Sequence, residues 1–189
     1  MEDSQNHLAY NKSIESLDVV VLDESRAMQA ITRTILQPLR LRRLRFFDNA
    51  EQALRDIHDE PPNLMIADWR MRLMPGPKLL KELRSKQSGP IACMPVLMTI
   101  SGPTRREVEL AYRYGAQAVI AKPFSPNAMQ RRIQWLLQDA RLMRLIDETY
   151  VIDGVKETLD ERMEAMASEN TYTEKTDGAP SAAGAGAAA

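Results

Sequence analysis

The stretch Asn63-Leu64-Met65-Ile66-Ala67-Asp68-Trp69-Arg70-Met71-Arg72-Leu73-Met74-Pro75-Gly76 decides the reading of this chain. A short apolar run enters after Pro61-Pro62, ends in an acid, and is closed by Pro75-Gly76. Such a run between turn residues reads as a buried strand. Two other runs end the same way. Leu17-Asp18-Val19-Val20-Val21-Leu22 delivers Asp23-Glu24, and Ala118-Val119-Ile120-Ala121 delivers Lys122-Pro123-Phe124. In an open α/β sheet the carboxyl ends of the strands are where ligands bind. Three acids and one lysine gathered there suit a divalent cation and a phosphoryl group.

Outward from these runs, β-rich and helical segments alternate. Strands are expected at 17–22, 43–47, 63–68, 94–100 and 118–121. Helices are expected at 25–37, 50–59, 77–87, 104–114 and from 125 onward. The alternation argues α/β architecture, a parallel sheet covered by helices on both faces. Ser25 can cap the first helix, whose apolar stripe is Met28, Ile31, Ile35 and Leu36. Pro38 stops it. Gly115 is placed to end the fourth helix.

The chain has 189 residues, 44% of them apolar, and a net charge of −1. That length favours one domain with appendages. No run reaches the roughly 18 apolar residues of a membrane span. The start of the chain, Met1 to Ser13, is polar and has no signal-like apolar region. A single cysteine, Cys93, has no partner for an internal disulfide, so a reducing, cytoplasmic setting is expected. His7 and His58 read as solvent-facing. Residues 1–140 carry 20 Lys+Arg against 16 Asp+Glu, and residues 141–189 carry 5 against 10. A mildly basic body with an acidic tail lacks the usual nucleic-acid footprint. The cluster Arg40, Arg42, Arg43 and Arg45 reads first as an edge strand protected by charge, with RNA or an acidic partner as the alternative. Arg105-Arg106 and Arg131-Arg132 read first as a solvated rim, with partner docking as the alternative.

The ordered set Leu22-Asp23-Glu24-Ser25, Asp68-Trp69 with Gly76 behind it, Met94-Pro95-Val96-Leu97-Met98-Thr99 and Lys122-Pro123-Phe124 resembles a response-regulator receiver domain, over roughly residues 14–140. The nearest type is the stand-alone receiver of the chemotaxis kind. The resemblance implies a five-stranded parallel, doubly wound (βα)5 flavodoxin-like fold. It implies that Asp68 accepts a phosphoryl group from a histidine kinase or phosphotransfer protein. It implies Mg²⁺ as cofactor, held by Asp23, Glu24, Asp68 and the backbone carbonyl of Arg70, with Glu24 the direct ligand and Asp23 acting through water. Mg²⁺ suits such a set because it takes oxygen ligands and keeps some of its waters. The resemblance further implies that Lys122 pairs with phosphoryl oxygens and that the Lys122–Pro123 bond is cis.

The chain departs from that pattern at two places. The family carries a Ser or Thr hydroxyl at the end of the fourth strand. Five residues on from Pro95, or 22 before Lys122, stands Ile100, flanked by Thr99 and Ser101. A one-residue bulge would bring Thr99 or Ser101 into place. Without one, strand alternation is expected to turn them to the wrong side. Three residues before Lys122, where receivers often carry an aromatic switch residue, stands Val119. The hydroxyl–aromatic relay to the face of the fourth helix, fifth strand and fifth helix is therefore expected to be missing at both ends. Arg70, two residues after Asp68, stands where the family's side chain influences dephosphorylation. It cannot orient a water as an acceptor, so contact with, or shielding of, the phosphoryl group is the role expected of it.

Residues 1–13 are expected to be a flexible lead and 14–140 the receiver. Met129, Ile133, Leu136, Ala140 and Met143 recur at 4-3-4-3 spacing, a seam of about two heptads. They suggest a helical extension over 141–167, usable against a partner or a second copy. Gly154 is expected to break it, with one more amphipathic helix from Val155 to Ala167. The Ala/Gly-rich tail 168–189 is expected to be disordered. Two functions remain in view. One is a phosphorylated receiver that signals by contact with a separate, unknown output protein. The other is a degenerate receiver serving as a phosphate-independent adaptor. An α/β enzyme is a distant third, because no Gly-rich phosphate loop follows the first strand.

Overall fold

The structure is a computed structural model, and it describes residues 4–155. Its centre is a five-stranded sheet. The strands are β2 (Asp18–Leu22), β3 (Arg43–Phe47), β4 (Leu64–Asp68), β5 (Val96–Ser101) and β6 (Ala118–Lys122), in the order β3-β2-β4-β5-β6. All four pairings are parallel. Helices α1 (Arg26–Leu36), α2 (Ala50–Asp59), α3 (Gly76–Leu83), α4 (Arg105–Arg113) and α5 (Pro126–Leu137) connect and cover them. Ser25, Asn49, Thr104 and Ser125 each cap a helix through a side-chain oxygen, satisfying amides that otherwise have no intrahelical partner.

The sheet separates two cores. Val20, Leu22, Met65, Ala67, Met98 and Ile100 point toward α2, α3 and α4. Val19, Val21, Ile66, Leu97 and Ile120 point toward α1 and α5. Strand alternation produces this split, and both faces being covered explains why the strands read as continuous apolar runs.

β5 keeps unbroken register with β4 as far as Thr99 and with β6 as far as Ser101, so it carries no bulge. The arginine cluster is largely consumed by ion pairs. Arg45 is buried among Asp18, Asp56 and the Glu60 carbonyl, Arg43 meets Glu60, and Arg42 meets Asp18. Such internal pairing leaves less free charge than an exposed basic patch would need.

The chain ends of the receiver depart from expectation. α5 stops at Leu137, and no helix runs on through Asp147. Instead β7 (Met143–Ile146) and β8 (Thr149–Ile152) form an antiparallel hairpin. Asp147 and Glu148 both have positive φ at its tip, the geometry of a two-residue hairpin turn. Met129, Ile133 and Leu136 are core residues of α5, but Ala140 is exposed, and Met143 faces inward from a strand onto Cys93 and Ile152. The seam therefore mixes two periods, and the helix proposed for contact with a second copy is absent over 141–152.

Residues 4–13 of the lead segment are tied down. β1 (Ser4–Gln5) pairs with β7, Leu8 N–H donates to Cys93 O, and Asn11 N–H donates to Leu137 O. His7 is buried, not solvent-facing. Its Nδ1 accepts from Ala9 N–H at 3.3 Å, and burial pushes its pKa down. The helix expected from Val155 to Ala167 and the tail 168–189 lie outside the described residues, apart from Val155.

Arg84, wholly buried at the end of α3, fastens this small sheet to the large one. Its guanidinium donates to the carbonyls of Ala92, Met94 and Gly115 and to Gln117 Oε1. Its own carbonyl accepts from Tyr150 N–H at 2.7 Å. Burial lowers its pKa to about 10, so it stays charged at neutral pH. Gly115, at φ +95°, lies where a Cβ would meet Arg84 Nε at 2.9 Å. Arg84→Met would strand several buried acceptors, so the chain should lose about 3 kcal/mol or more of stability in urea unfolding.

Candidate functional site

Alternation also sorts the candidate residues. Asp23, Asp68 and Lys122 continue the β2, β4 and β6 positions that face α1 and α5. They meet just past the carboxyl edge of the sheet. Lys122 Nζ donates to Asp23 Oδ2 at 2.8 Å and to Asp68 Oδ1 at 2.7 Å. The side chains of all three are largely buried, at 9% exposure for Lys122, 8% for Asp23 and 16% for Asp68. Asp23 Oδ1 accepts from Ser25 N–H at 2.8 Å, and its carbonyl accepts from Gln29 Nε2 at 2.8 Å. The start of α1 therefore fixes one carboxylate, and the ammonium places the other against it. The Lys122–Pro123 peptide is cis.

Glu24 falls on the other side of the alternation and is not gathered in. Its carboxylate accepts from Arg72 N–H at 3.0 Å and Arg72 Nε at 3.2 Å. Among the described residues no three His, Cys, Asp or Glu side chains come together as a ready metal-binding set. The expected trio is thus assembled in part. Asp23 and Asp68 offer hard oxygen donors around a point that already holds a cationic group. Their chemistry fits Mg²⁺, and Glu24 fits if it leaves Arg72.

The fourth-strand question resolves by register. Asp68 pairs with Thr99, and Lys122 pairs with Ser101. Thr99 and Ser101 therefore lie on the Asp68 face without a bulge, contrary to the expectation that alternation would turn them away. Thr99 is buried, and its hydroxyl donates to Ala67 O at 3.4 Å. Ser101 is exposed at the strand end. Ile100 points to the opposite face, fully buried, in the core that also holds Val119.

The loop after Asp68 is tied on both sides. Trp69 N–H donates to Thr99 O, and Gly76 N–H donates to Trp69 O, each at 2.9 Å. Arg70 reaches the first turn of α4, where Nε and one terminal nitrogen bond Glu107 Oε1 at 3.2 and 2.8 Å. Glu107 Oε2 accepts from Thr104 N–H and Oγ1, both at 2.9 Å, completing a capping box. The Thr104 amide, then Arg70 and the Thr104 hydroxyl, hold the Glu107 carboxyl down to about 2. Sequence reading missed Glu107 and Arg72 as partners of this loop. The Thr104-x-x-Glu107 spacing was a visible cap signal, but neither ion pair had one.

Residues 19–134 match the response regulator receiver domain. The chain belongs to that family. The receiver is 23% identical over 122 residues to the chemotaxis protein CheY of Pseudomonas aeruginosa, covering 65% of this chain and 97% of that one. It is likewise 23% identical to CheY-3 of Vibrio cholerae, covering 66% of this chain and 94% of that one. Among solved structures it is similar in fold to Vibrio cholerae CheY4, with TM-score 0.59, 20% identity, and coverage of 65% of this chain and 99% of the other. It is also similar to the receiver domain of a Pseudomonas aeruginosa sensor histidine kinase, with TM-score 0.58, 17% identity, and coverage of 65% and 98%. That kinase domain was solved with magnesium in its active-site cleft. No helix among the described residues of the receiver is long and apolar enough to cross a membrane.

Gly76 opens α3 directly beneath the Trp69 ring, where a Cβ would sit 2.1 Å from Cε3. Gly76→Ala should displace Trp69, the residue after Asp68, and cost about 1–3 kcal/mol in urea unfolding followed by tryptophan fluorescence.

Proposed function

We propose that this receiver accepts a phosphoryl group on Asp68 from a histidine kinase or phosphotransfer protein, with Mg²⁺, and signals by protein contact in the cytoplasm. The carrying observation is the Lys122 ammonium set between Asp23 and Asp68. In the proposed step an Asp68 oxygen attacks the phosphorus of a phosphohistidine. The new P–O bond forms as the P–N bond breaks, and the imidazole departs. Catalysis of this kind rests on position and charge. Lys122 follows the added charge onto the phosphoryl oxygens as a point cation. Ser101, opposite Lys122 in register and exposed, is the hydroxyl placed to bond the phosphoryl group. Bound Mg²⁺ would neutralise charge shared between the phosphoryl oxygens and the carboxylates of Asp23, Glu24 and Asp68, with the Arg70 carbonyl as a further donor.

A second reading has a specific observation behind it. Val119 stands where the family's aromatic is expected, and Ile100 points away from Asp68 into the same core, so the aromatic half of the relay has no ring. That favours a phosphate-independent adaptor. The two readings separate by exposing the protein to acetyl phosphate and Mg²⁺ and weighing it intact. The receiver reading expects the mass of one phosphoryl group in the wild type and none in Asp68→Asn. An unmodified wild type that stays folded, with acetyl phosphate and with phosphorylated histidine donors, would favour the adaptor.

Glu24 must leave Arg72 to serve a metal. Arg72 is nearly fully exposed, and exposed ion pairs are weak. Arg72→Ala should therefore raise Mg²⁺ affinity by about twofold to fivefold in calorimetric titration.

A further inference from the structure

We infer that the Arg70–Glu107 ion pair carries the state of Asp68 to α4, with Glu107 as the positioning residue for Arg70. This rests on the reading of Asp68 as the phosphoryl acceptor. Thr99 and Ser101 supply hydroxyls on the Asp68 face, but Val119 has no ring to swing, so the buried relay lacks its aromatic half. The described residues do hold another physical connection. Arg70 lies two residues past Asp68, in the loop between β4 and α3. Its guanidinium is joined to Glu107 Oε1, and the same carboxylate closes the cap of α4 through Oε2. One carboxylate is thus shared between the acceptor loop and the first turn of α4.

The energetics favour a transfer. The pair is exposed on the arginine side, at 51%, and exposed pairs are weak. A phosphoryl group adds charge beside the loop and presents oxygens that match a guanidinium fork better than a single carboxylate oxygen does. Before phosphorylation, Lys122 already serves both Asp23 and Asp68, so the charge that Lys122 and bound Mg²⁺ would leave on the phosphoryl group calls for a further cation. Arg70 turns to the phosphoryl oxygens and releases Glu107. The tie between the loop and α4 is then gone, while the Thr104–Glu107 cap remains within α4 itself. The first turn of α4 moves independently of the β4–α3 loop in the phosphorylated protein.

The test is hydrogen exchange of the Thr104–Val108 amides in the full chain, before and after acetyl phosphate with Mg²⁺. Occupancy of Asp68 is read in parallel by intact mass. In the wild type these amides should exchange about threefold to fivefold faster when Asp68 is occupied, the size of one exposed ion pair. Compared at matched Asp68 occupancy, Arg70→Met and Glu107→Gln should each lose that response. Arg70→Lys should restore at least part of it, which a purely structural role for the arginine fork would not do. An occupied Arg70→Met protein with the full wild-type response would overturn the relay. A wild type that never takes up phosphate would instead defeat the underlying receiver reading. The two failures are therefore distinct.

Discussion

The Lys122 ammonium is the charge on which the carboxyl edge of the sheet depends. Two carboxylates from neighbouring strands, each largely withdrawn from water, converge on it at 2.8 and 2.7 Å. Without a cation they would face one another as like charges in a poorly solvated cleft, an arrangement folding does not tolerate cheaply. With it, β2, β4 and β6 end in a partly neutralised cluster whose geometry is set before any ligand arrives. Preset charge is also what phosphoryl transfer asks of a protein. The ion pairs that settle the fold here are the ones the proposed phosphoryl transfer would use.

The opposite edge of the sheet is governed by a different cation. Among the described residues Arg84 is satisfied by carbonyl dipoles and one amide oxygen instead of a carboxylate. Those acceptors precede β5 and β6, and the Arg84 carbonyl holds β8. The small sheet of β1, β7 and β8 is therefore attached where the strands begin, far along them from Asp68. Gln117 joins the two systems, accepting from Arg84 and Val96 N–H while its Nε2 meets Met143 Sδ. The decoration adds packing at the amino edge and leaves the carboxyl edge open to a partner.

Much of this was legible in the sequence, for identifiable reasons. The five central strands are buried on both faces, so their apolar runs stand out, and four of the five helices carry strong side-chain caps. Asp23, Asp68 and Lys122 were legible because each terminates such a run. The hairpin was not, because Met143 fits a helical seam running from Met129, and that period masked the β-rich Thr149-Tyr150-Val151-Ile152. The facing of Thr99 and Ser101 was not legible either, because spacing from Pro95 does not show which residue pairs with Asp68. Actual pairing of Asp68 with Thr99 reverses the parity. His7 looked exposed because a polar neighbourhood in sequence says nothing of a strand added across the chain.

Loop charges tie the segment after Asp68 to two of its neighbours. Residues 70 and 72 point to opposite sides of the acceptor loop, one to Glu107 on α4 and one to Glu24 after β2. Glu107 has a second demand on it, the cap of α4, and in the proposed function Glu24 would have one in the metal. Ligand events at Asp68 compete with both ties, and the competition runs through exposed side chains whose pairing is individually weak. Weak ties are easily exchanged. A path of this kind needs no cavity to open in the core, and Ile100 and Val119 can pack for stability alone. In the proposed relay the lack of a ring at Val119 and the charged strapping of the loop go together: the signal would run over the surface of the cleft and leave the core to packing.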